Sequence, residues 1–268
     1  MKVDVRDAEN KKVGSVDLPG QFGESVRVDL IQRAALAAQN NKRQAYGAKE
    51  DAGMRHSADL SRRRRQYRGS YGFGISRVPR KILSRNGTRM YWVGAVSPGT
   101  VGGRRAHAPK PEKVWAQKIN IKERRKAIRA ALSATIDAAV VAKRGHKVPE
   151  GYPFVLDEAF ESMAKTADVV KALEALGLSD ELGRSSRKTI RAGRGKARGR
   201  KYKKAVGPLV IVSGKCDMAK AARNIPGVTV KSVDQLDADV LAPGCAPGRL
   251  ALFTKKAIDK LAEAKLYS

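Results

Sequence analysis

Cysteine, aromatic residues and long apolar runs are all scarce in this chain of 268 residues. Two cysteines, Cys216 and Cys245, are too few for a disulfide framework, which predicts free thiols in a reducing compartment. The best apolar run, residues 130–142, contains Asp137 and is shorter than the roughly 18 residues that a membrane span needs. The N-terminal residues alternate apolar and charged side chains, unlike a signal peptide. We therefore expect a cytoplasmic protein with an aliphatic core.

The chain also lacks recognisable catalytic and cofactor motifs. Gly195-Lys196 and Gly214-Lys215 have neither the earlier glycine nor the following Ser or Thr of a phosphate-binding P-loop. A metal site needs clustered ligands, but the histidines and cysteines are scattered: His56, His107, His146, Cys216 and Cys245. The carboxylates of Asp157, Glu158 and Glu161 fit a solvated helix face better than a catalytic pair. These absences predict a protein that is not an enzyme and holds no metal or cofactor.

Acidic residues are too few to balance the basic ones. The chain has 55 Lys and Arg against 26 Asp and Glu, a net charge of +29 and a sequence pI near 10.5. The charge is segregated: residues 45–112 carry 15 basic and 4 acidic residues, residues 184–207 carry 11 basic residues and no acid, and residues 148–183 are net acidic. A field of this size attracts polyanions. Two separate basic segments indicate nucleic acid as the first candidate partner and disfavour a membrane.

Residues 45–112 are poor in apolar residues and rich in Arg, Gly, Pro and Ser, and a loop of this length is usually functional or disordered. Guanidinium groups bind phosphate through paired hydrogen bonds, and aromatic rings between them can stack on unpaired bases of folded RNA. The predicted base-stacking residues are Tyr67, Phe73 and Trp92. The predicted RNA-binding residues are Arg62, Arg63, Arg64, Arg65, Arg68, Arg77, Arg80, Arg85, Arg104, Arg105, Lys110, Arg124, Arg125, Arg191, Arg194, Lys196, Arg198, Arg200 and Lys201.

Arg124 and Arg125 enter this set for a separate reason. They lie in the first turns of a helix that we expect to begin at Asn120, with Glu123 closing a capping box, and to end before Gly145. Cations are unfavourable at the N-terminal end of a helix dipole, and a nearby phosphate would remove that penalty. A solvated basic face is the alternative interpretation of the same residues.

The remaining pattern predicts an α/β fold. A β-hairpin is expected over residues 2–18, a helix from an N-cap at Ser25 to about Asn40, a strand at 153–156 and a helix at 166–176. Apolar strands at 209–212, 228–230 and 250–253 alternate with helices, the last one capped by Thr254. Such alternation favours a mainly parallel sheet flanked by helices.

We therefore expect one globular α/β domain from residues 1–44 and 113–268. It would carry a basic extended segment at 184–207, expected to be irregular. Residues 45–112 would form a long extended loop that penetrates RNA.

Several motifs resemble the large-subunit ribosomal protein four family (the universal one) in its archaeal and eukaryotic form. They cover residues 29–31, 37–39, 69–80, 105–110, 192–193, 197–202, 241–244 and 246–250. The resemblance implies a structural constituent of the large ribosomal subunit in the cytoplasm, with an α/β domain on the outer face. It also implies binding to large-subunit ribosomal RNA, contacts with neighbouring ribosomal proteins and a role in subunit assembly.

In the family, the tip of the loop lines the exit tunnel of the nascent peptide. By motif, the tunnel-lining residues here would be Tyr71, Gly72, Phe73, Gly74, Ile75, Ser76 and Arg77.

Two other functions stay open from the residues alone. The charged segments would also suit a free-standing RNA-binding regulator or chaperone. An RNA-processing enzyme would need a cofactor site at the strand ends near Ser213, Gly214 and Lys215.

Overall fold

The computed structural model describes residues 1–267 and contains two compact units. One, the globular unit, comprises Met1–Lys42 and the chain from Ala116 onward; the other, the basic unit, is Arg43–Trp115. The strands are β1 (Lys2–Arg6), β2 (Lys12–Asp17), β3 (Arg80–Asn86), β4 (Arg89–Gly94), β5 (Phe154–Leu156), β6 (Lys188–Ile190), β7 (Tyr202–Lys204), β8 (Leu209–Val212), β9 (Thr229–Ser232) and β10 (Ala251–Thr254). The α-helices are α1 (Val28–Asn41), α2 (Ile121–Ile136), α3 (Ala138–Lys143), α4 (Thr166–Ala175), α5 (Ser179–Ser186), α6 (Asp217–Ala221), α7 (Ala238–Leu241) and α8 (Lys255–Glu263).

A six-stranded sheet in the order β2-β1-β5-β10-β8-β9 forms the centre of the globular unit. β1 and β2 pair as an antiparallel hairpin, and every other neighbouring pair in this sheet is parallel. The prediction of an α/β fold with a mainly parallel sheet flanked by helices is therefore confirmed.

The central strands are buried on both faces. Leu209 and Ile211 of β8 pack into the cluster that contains residues of α1, α2 and α8. Val210 and Val212 point the other way, into the cluster that contains residues of α4 and α6. Because successive side chains of a strand alternate between faces, a sheet covered on both sides requires a continuous apolar run rather than an alternating one.

Two expected helix boundaries and one expected capping box are wrong. α1 begins at Val28 with Arg27 as its N-cap, not Ser25. The Arg27 side chain instead bonds Asp29 in the first turn, at 2.6 Å and 3.0 Å, and this pairing lowers the pKa of Asp29 to about 2. An ionised carboxylate in the first turn of a helix interacts favourably with the helix dipole.

The capping box expected in α2 is absent. The helix does begin after Asn120, but the Asn120 side chain makes no capping bond, and Glu123 lies 3.5 Å from the guanidinium of Arg33. The helix also stops at Ile136 instead of continuing to Gly145. Asp137 accepts hydrogen bonds from the backbone N–H groups of residues 139 and 140 and so starts α3 as a new helix.

The two basic segments contain regular structure that the sequence analysis missed. β3 and β4 form an antiparallel hairpin within the segment expected to be an extended loop, with Asn86 paired to Arg89. The signal was available, because a two-residue loop that begins with glycine, here Gly87-Thr88, between two runs of β-forming residues is typical of a hairpin turn. Gly87 has φ +60°, which glycine adopts without strain.

The segment 184–207 was expected to be irregular, and that expectation is also wrong. Here β6 pairs antiparallel with β7, and the two strands form what we term the basic ribbon, residues 188–204. Both strands are exposed along their whole length, so no apolar alternation marks them in the sequence. Backbone pairing closes the ribbon, and the side chains of Thr189 and Arg191 add hydrogen bonds to the backbone oxygens of Lys203 and Arg200 across it.

Candidate nucleic-acid interface

A pocket of about 710 Å³ on the basic unit brings together all three predicted base-stacking residues. Tyr67 and Phe73 come from one stretch of the chain and Trp92 comes from β4, and all three line this one pocket. Tyr71 and Ile75 line it as well, with glycines between these residues at positions 72 and 74.

Guanidinium groups lie over the aromatic rings of the basic unit. Arg85 and Arg68 lie 5.0 Å and 5.4 Å from the centre of the Tyr67 ring. Arg77 lies 4.5 Å from the Tyr71 ring, and Arg80 lies 5.3 Å from the Trp92 ring. Each such contact at an exposed position contributes about 0.5–1 kcal/mol. The rings thus help to orient these arginines on the surface of the basic unit.

Most predicted RNA-binding residues are exposed. The three that are half-buried are Arg68, Arg80 and Arg191. All three have internal partners. Arg68 is 2.9 Å from Asp59, Arg80 donates to the hydroxyl of Ser76 at 3.0 Å, and Arg191 donates to the backbone oxygen of Arg200 at 3.1 Å. Arg62, Arg63, Arg64 and Arg65 are exposed, and within the described residues no carboxylate forms a salt bridge with any of them. Their charges are available to an external anion.

Trp115 closes the base of the basic unit. Its ring stacks on Tyr46 with 5.8 Å between centroids, while Arg43 and Lys113 approach the same ring at 3.8 Å and 4.3 Å. A backbone hydrogen bond of 3.1 Å from Ala48 to Pro109 joins the two ends of the segment a little further in. The contacts of Trp115 with Tyr46 and Arg43 were not anticipated from the sequence, because these residues lie more than sixty positions away from it.

The basic ribbon places cations at its tip. Residues Arg194–Arg198 form a 3-10 turn between Gly193 and Gly199, which have φ of +75° and +78°. Arg194, Lys196 and Arg198 are all exposed on this turn.

A buried ion cluster holds the two ends of the ribbon. Glu181, which is fully buried, accepts hydrogen bonds from Arg184 at 2.6 Å and 2.8 Å and lies 2.7 Å from Nδ1 of His146. Arg184 also donates to the backbone oxygen of Val206 at 2.6 Å. The guanidinium of Arg184 therefore joins Glu181, which precedes the ribbon in the sequence, to Val206, which follows it.

Comparisons with known proteins identify the family to which the chain belongs. Residues 16–264 match the family described as "Ribosomal protein L4/L1 family". The chain belongs to the ribosomal protein L4/L1 family. It is 46% identical over 268 residues to "Large ribosomal subunit protein uL4" of Nanoarchaeum equitans, with all of both chains covered. The protein of the same name from Halobacterium salinarum is 43% identical over 266 residues, with 98% of this chain and 100% of the relative covered.

Membership confirms the resemblance read from the sequence. The L4/L1 family consists of ribosomal proteins with a structural role, so the prediction that the chain is not an enzyme is confirmed by its family.

In this L4/L1 family member, a glutamate side chain occupies the carboxyl ends of β8 and β10, where an enzyme of this fold would bind its cofactor. Glu161 accepts hydrogen bonds from the backbone N–H and the hydroxyl of Ser213, at 2.9 Å and 2.7 Å, and from Thr254 at 2.6 Å. Burial opposes ionisation of Glu161, but these bonds lower its pKa below the usual value. The expectation that Glu161 lies on a solvated helix face is therefore wrong. A carboxylate occupies the place where a parallel sheet would bind phosphate.

Arg249, within the family motif at 241–250, has a structural task. It is 3% exposed and donates to the oxygens of Gly207 and Val240 and to Thr229, at 2.8–3.2 Å. Desolvation lowers its pKa to about 10. Arg144 caps the same motif through the backbone oxygens of Pro243 and Pro247. The sequence motif indicates the family resemblance but does not reveal that its arginine joins the chain just after the ribbon to β9.

Within residues 1–267, no group of three or more His, Cys, Asp or Glu side chains has the arrangement of a metal site. Over the same residues, no helix has both the length and the apolar character that crossing a membrane requires.

Proposed function

We propose that the chain is a structural constituent of the large ribosomal subunit that binds large-subunit ribosomal RNA through its basic unit and basic ribbon. The single observation that carries this proposal is the concentration of exposed arginines and aromatic rings on the basic unit, where within the described residues Arg62, Arg63, Arg64 and Arg65 form no salt bridge. Family membership and relatives named as large-subunit proteins support the setting. The chain would act in subunit assembly within the cytoplasm, beside neighbouring ribosomal proteins.

The tip of the basic unit, residues 71–77, is proposed to line the exit tunnel of the nascent peptide. Tyr71, Phe73 and Ile75 line the pocket, whereas Gly72 and Gly74 between them have φ of +83° and +66° and carry no side chain. A surface of glycine backbone next to Ser76 offers a passing peptide few groups to bind. Such a surface suits a passage that must accept many sequences.

Co-sedimentation tests ribosomal membership against the alternative of a free-standing RNA-binding regulator or chaperone. The tagged chain is expressed at its natural level, and ribosomes are washed at high salt before the subunits are separated. A constituent remains with the large subunit, because its many phosphate contacts are made in a buried interface. Release of most of the chain into the wash would favour the regulator.

The tunnel proposal has its own test with two matched serines. A photo-reactive residue is placed at exposed Ser76 in the tip or at exposed Ser84 in β3. Ribosomes that carry a stalled, radiolabelled nascent chain are then irradiated. We expect labelled cross-links to the chain from position 76 and few from position 84. Equal labelling from both positions, or labelling from position 84 alone, would contradict the placement of the tip.

A further inference from the structure

We propose that the pocket of the basic unit captures one unpaired RNA base, turned out of its strand, while the surrounding arginines hold the adjoining phosphates. This rests on the proposed function, since the ligand is part of the RNA that the basic unit binds. It adds a defined site to a surface that charge alone would describe as non-specific.

The size and lining of the pocket fit a nucleotide. Its volume of about 710 Å³ lies in the range of roughly 300–1,000 Å³ that is usual for small-molecule sites. The lining includes five arginines and no acidic residue. Tyr67, Phe73 and Trp92 supply ring faces for stacking, and the amide of Gln66 and the hydroxyl of Thr88 can bond to the edge of a base.

Phe73 is the ring most open to stacking by a base. Its side chain is 72% exposed, although it is a large apolar ring within a pocket. Among the described residues, no second ring and no guanidinium lies against it, in contrast to Tyr67, Tyr71 and Trp92. A base stacked on this ring would remove apolar surface from water on both partners.

At Tyr67 and Trp92, a base could replace the arginine side chain that now covers the ring. Arg85 covers Tyr67 at 5.0 Å and donates to the backbone oxygen of Gly87 at 2.7 Å, both at an exposed position. Stacking with a base is stronger than an exposed cation–π contact, about 1–3 against 0.5–1 kcal/mol. A base that displaced the guanidinium from the ring would also free it to bind the phosphate of the same nucleotide.

The positive charge of the pocket lining favours an unpaired base with its phosphates over a peptide side chain or a base in a duplex. An apolar peptide side chain would not use five arginines, and a base in a duplex has no free face for a ring to cover. An unpaired base with its phosphates uses both the rings and the cations. The site is therefore assigned to single-stranded RNA rather than to peptide or duplex.

The experiment uses the full chain and an RNA chain of about eight nucleotides that is abasic except for one central 2-aminopurine, a length within the site size of single-strand binders. A second probe is identical except that the central base is also removed, so that it offers no base to the pocket. Wild type is expected to quench the 2-aminopurine fluorescence and to bind the intact probe about tenfold more tightly than the abasic one. Phe73→Ala should abolish this preference while keeping the salt dependence of wild type, because the arginines remain.

Tyr91→Ala is the matched control. Tyr91 precedes Trp92 in β4, is 54% exposed and does not line the pocket, so its removal should leave the preference unchanged. Equal affinity of wild type for the intact and abasic probes would overturn the proposal, as would equal behaviour of the two variants. If millimolar free AMP reversed the quenching as effectively as an unlabelled copy of the RNA probe, the pocket would be assigned to free nucleotide instead. These outcomes leave the proposed function standing, whereas a wild-type chain that fails to bind ribosomal RNA would remove both.

Discussion

Replacing Arg62, Arg63, Arg64 and Arg65 together with glutamine is expected to weaken binding to large-subunit ribosomal RNA by about a hundredfold near 0.15 M salt. All four side chains are exposed, and within residues 1–267 none is in a salt bridge. Each phosphate that a cation neutralises contributes about 0.7–0.9 to the slope of log K against log salt. The slope should therefore fall by about 3 in the variant.

Filter binding or fluorescence anisotropy over a series of salt concentrations measures both quantities. The matched control replaces four other exposed cations with glutamine: Lys11, Lys12, Lys215 and Lys220. This variant loses the same net charge from the globular unit and should keep the affinity of wild type within about threefold. Equal weakening in both variants would mean that total charge, and not the basic unit, determines binding.

Replacing Glu181 with alanine is expected to lower the free energy of unfolding of the globular unit by about 3–5 kcal/mol. The substitution leaves Arg184 and buried His146 without the carboxylate that lies 2.6–2.8 Å from both. It also removes the acceptor for the backbone N–H of Lys147, which donates to Glu181 at 2.9 Å. Losing one member of a buried ion cluster is costly because the remaining charge stays out of water.

Urea unfolding followed by far-ultraviolet circular dichroism measures the change. Glu174→Ala in α4 is the control, since Glu174 is exposed and makes no such contacts in the described chain. It should change stability by less than about 0.5 kcal/mol. A loss in Glu181→Ala as small as in this control would show that the cluster does not hold the fold.

The same carboxylate predicts a dependence on pH. Burial opposes its ionisation, but hydrogen bonds from Arg184, His146 and Lys147 lower the pKa of Glu181 to about 2, from 4.5. Because the folded pKa is below the unfolded one, the stabilisation is present above pH 4.5 and is lost as the pH falls towards 2. In acid unfolding, Glu181→Gln should lose less stability across this interval than wild type. Parallel curves would refute the assignment.

The sequence predicts the sheet well, because a short continuous apolar run of β-branched and aliphatic residues such as β8 is typical of a strand covered on both faces. It predicts the caps poorly. Asp137 and Glu123 are residues of the kind that cap helices, but which backbone groups they reach depends on neighbours such as Arg33. Local pattern therefore specified the elements, and tertiary contacts decided where they begin and end.

The candidate site divides in the same way. Composition identifies Arg62–65 and Tyr67, Phe73 and Trp92 as residue types that bind RNA. It does not reveal that the three rings line one pocket, because this follows from the β3–β4 hairpin and from the path of the chain at its tip. Glu161 is the reverse case: its partners Ser213 and Thr254 follow or end two neighbouring parallel strands, and only the assembled sheet brings them together.

The central claim is that the basic unit binds ribosomal RNA inside the large subunit. A density map of large subunits that contain this chain tests it most directly. We expect residues 43–115 to be surrounded by RNA, with phosphates at hydrogen-bonding distance from Arg62–65 and the tip at 71–77 at the wall of the exit tunnel. A map in which the basic unit lies in solvent at the subunit surface, away from RNA, would contradict it.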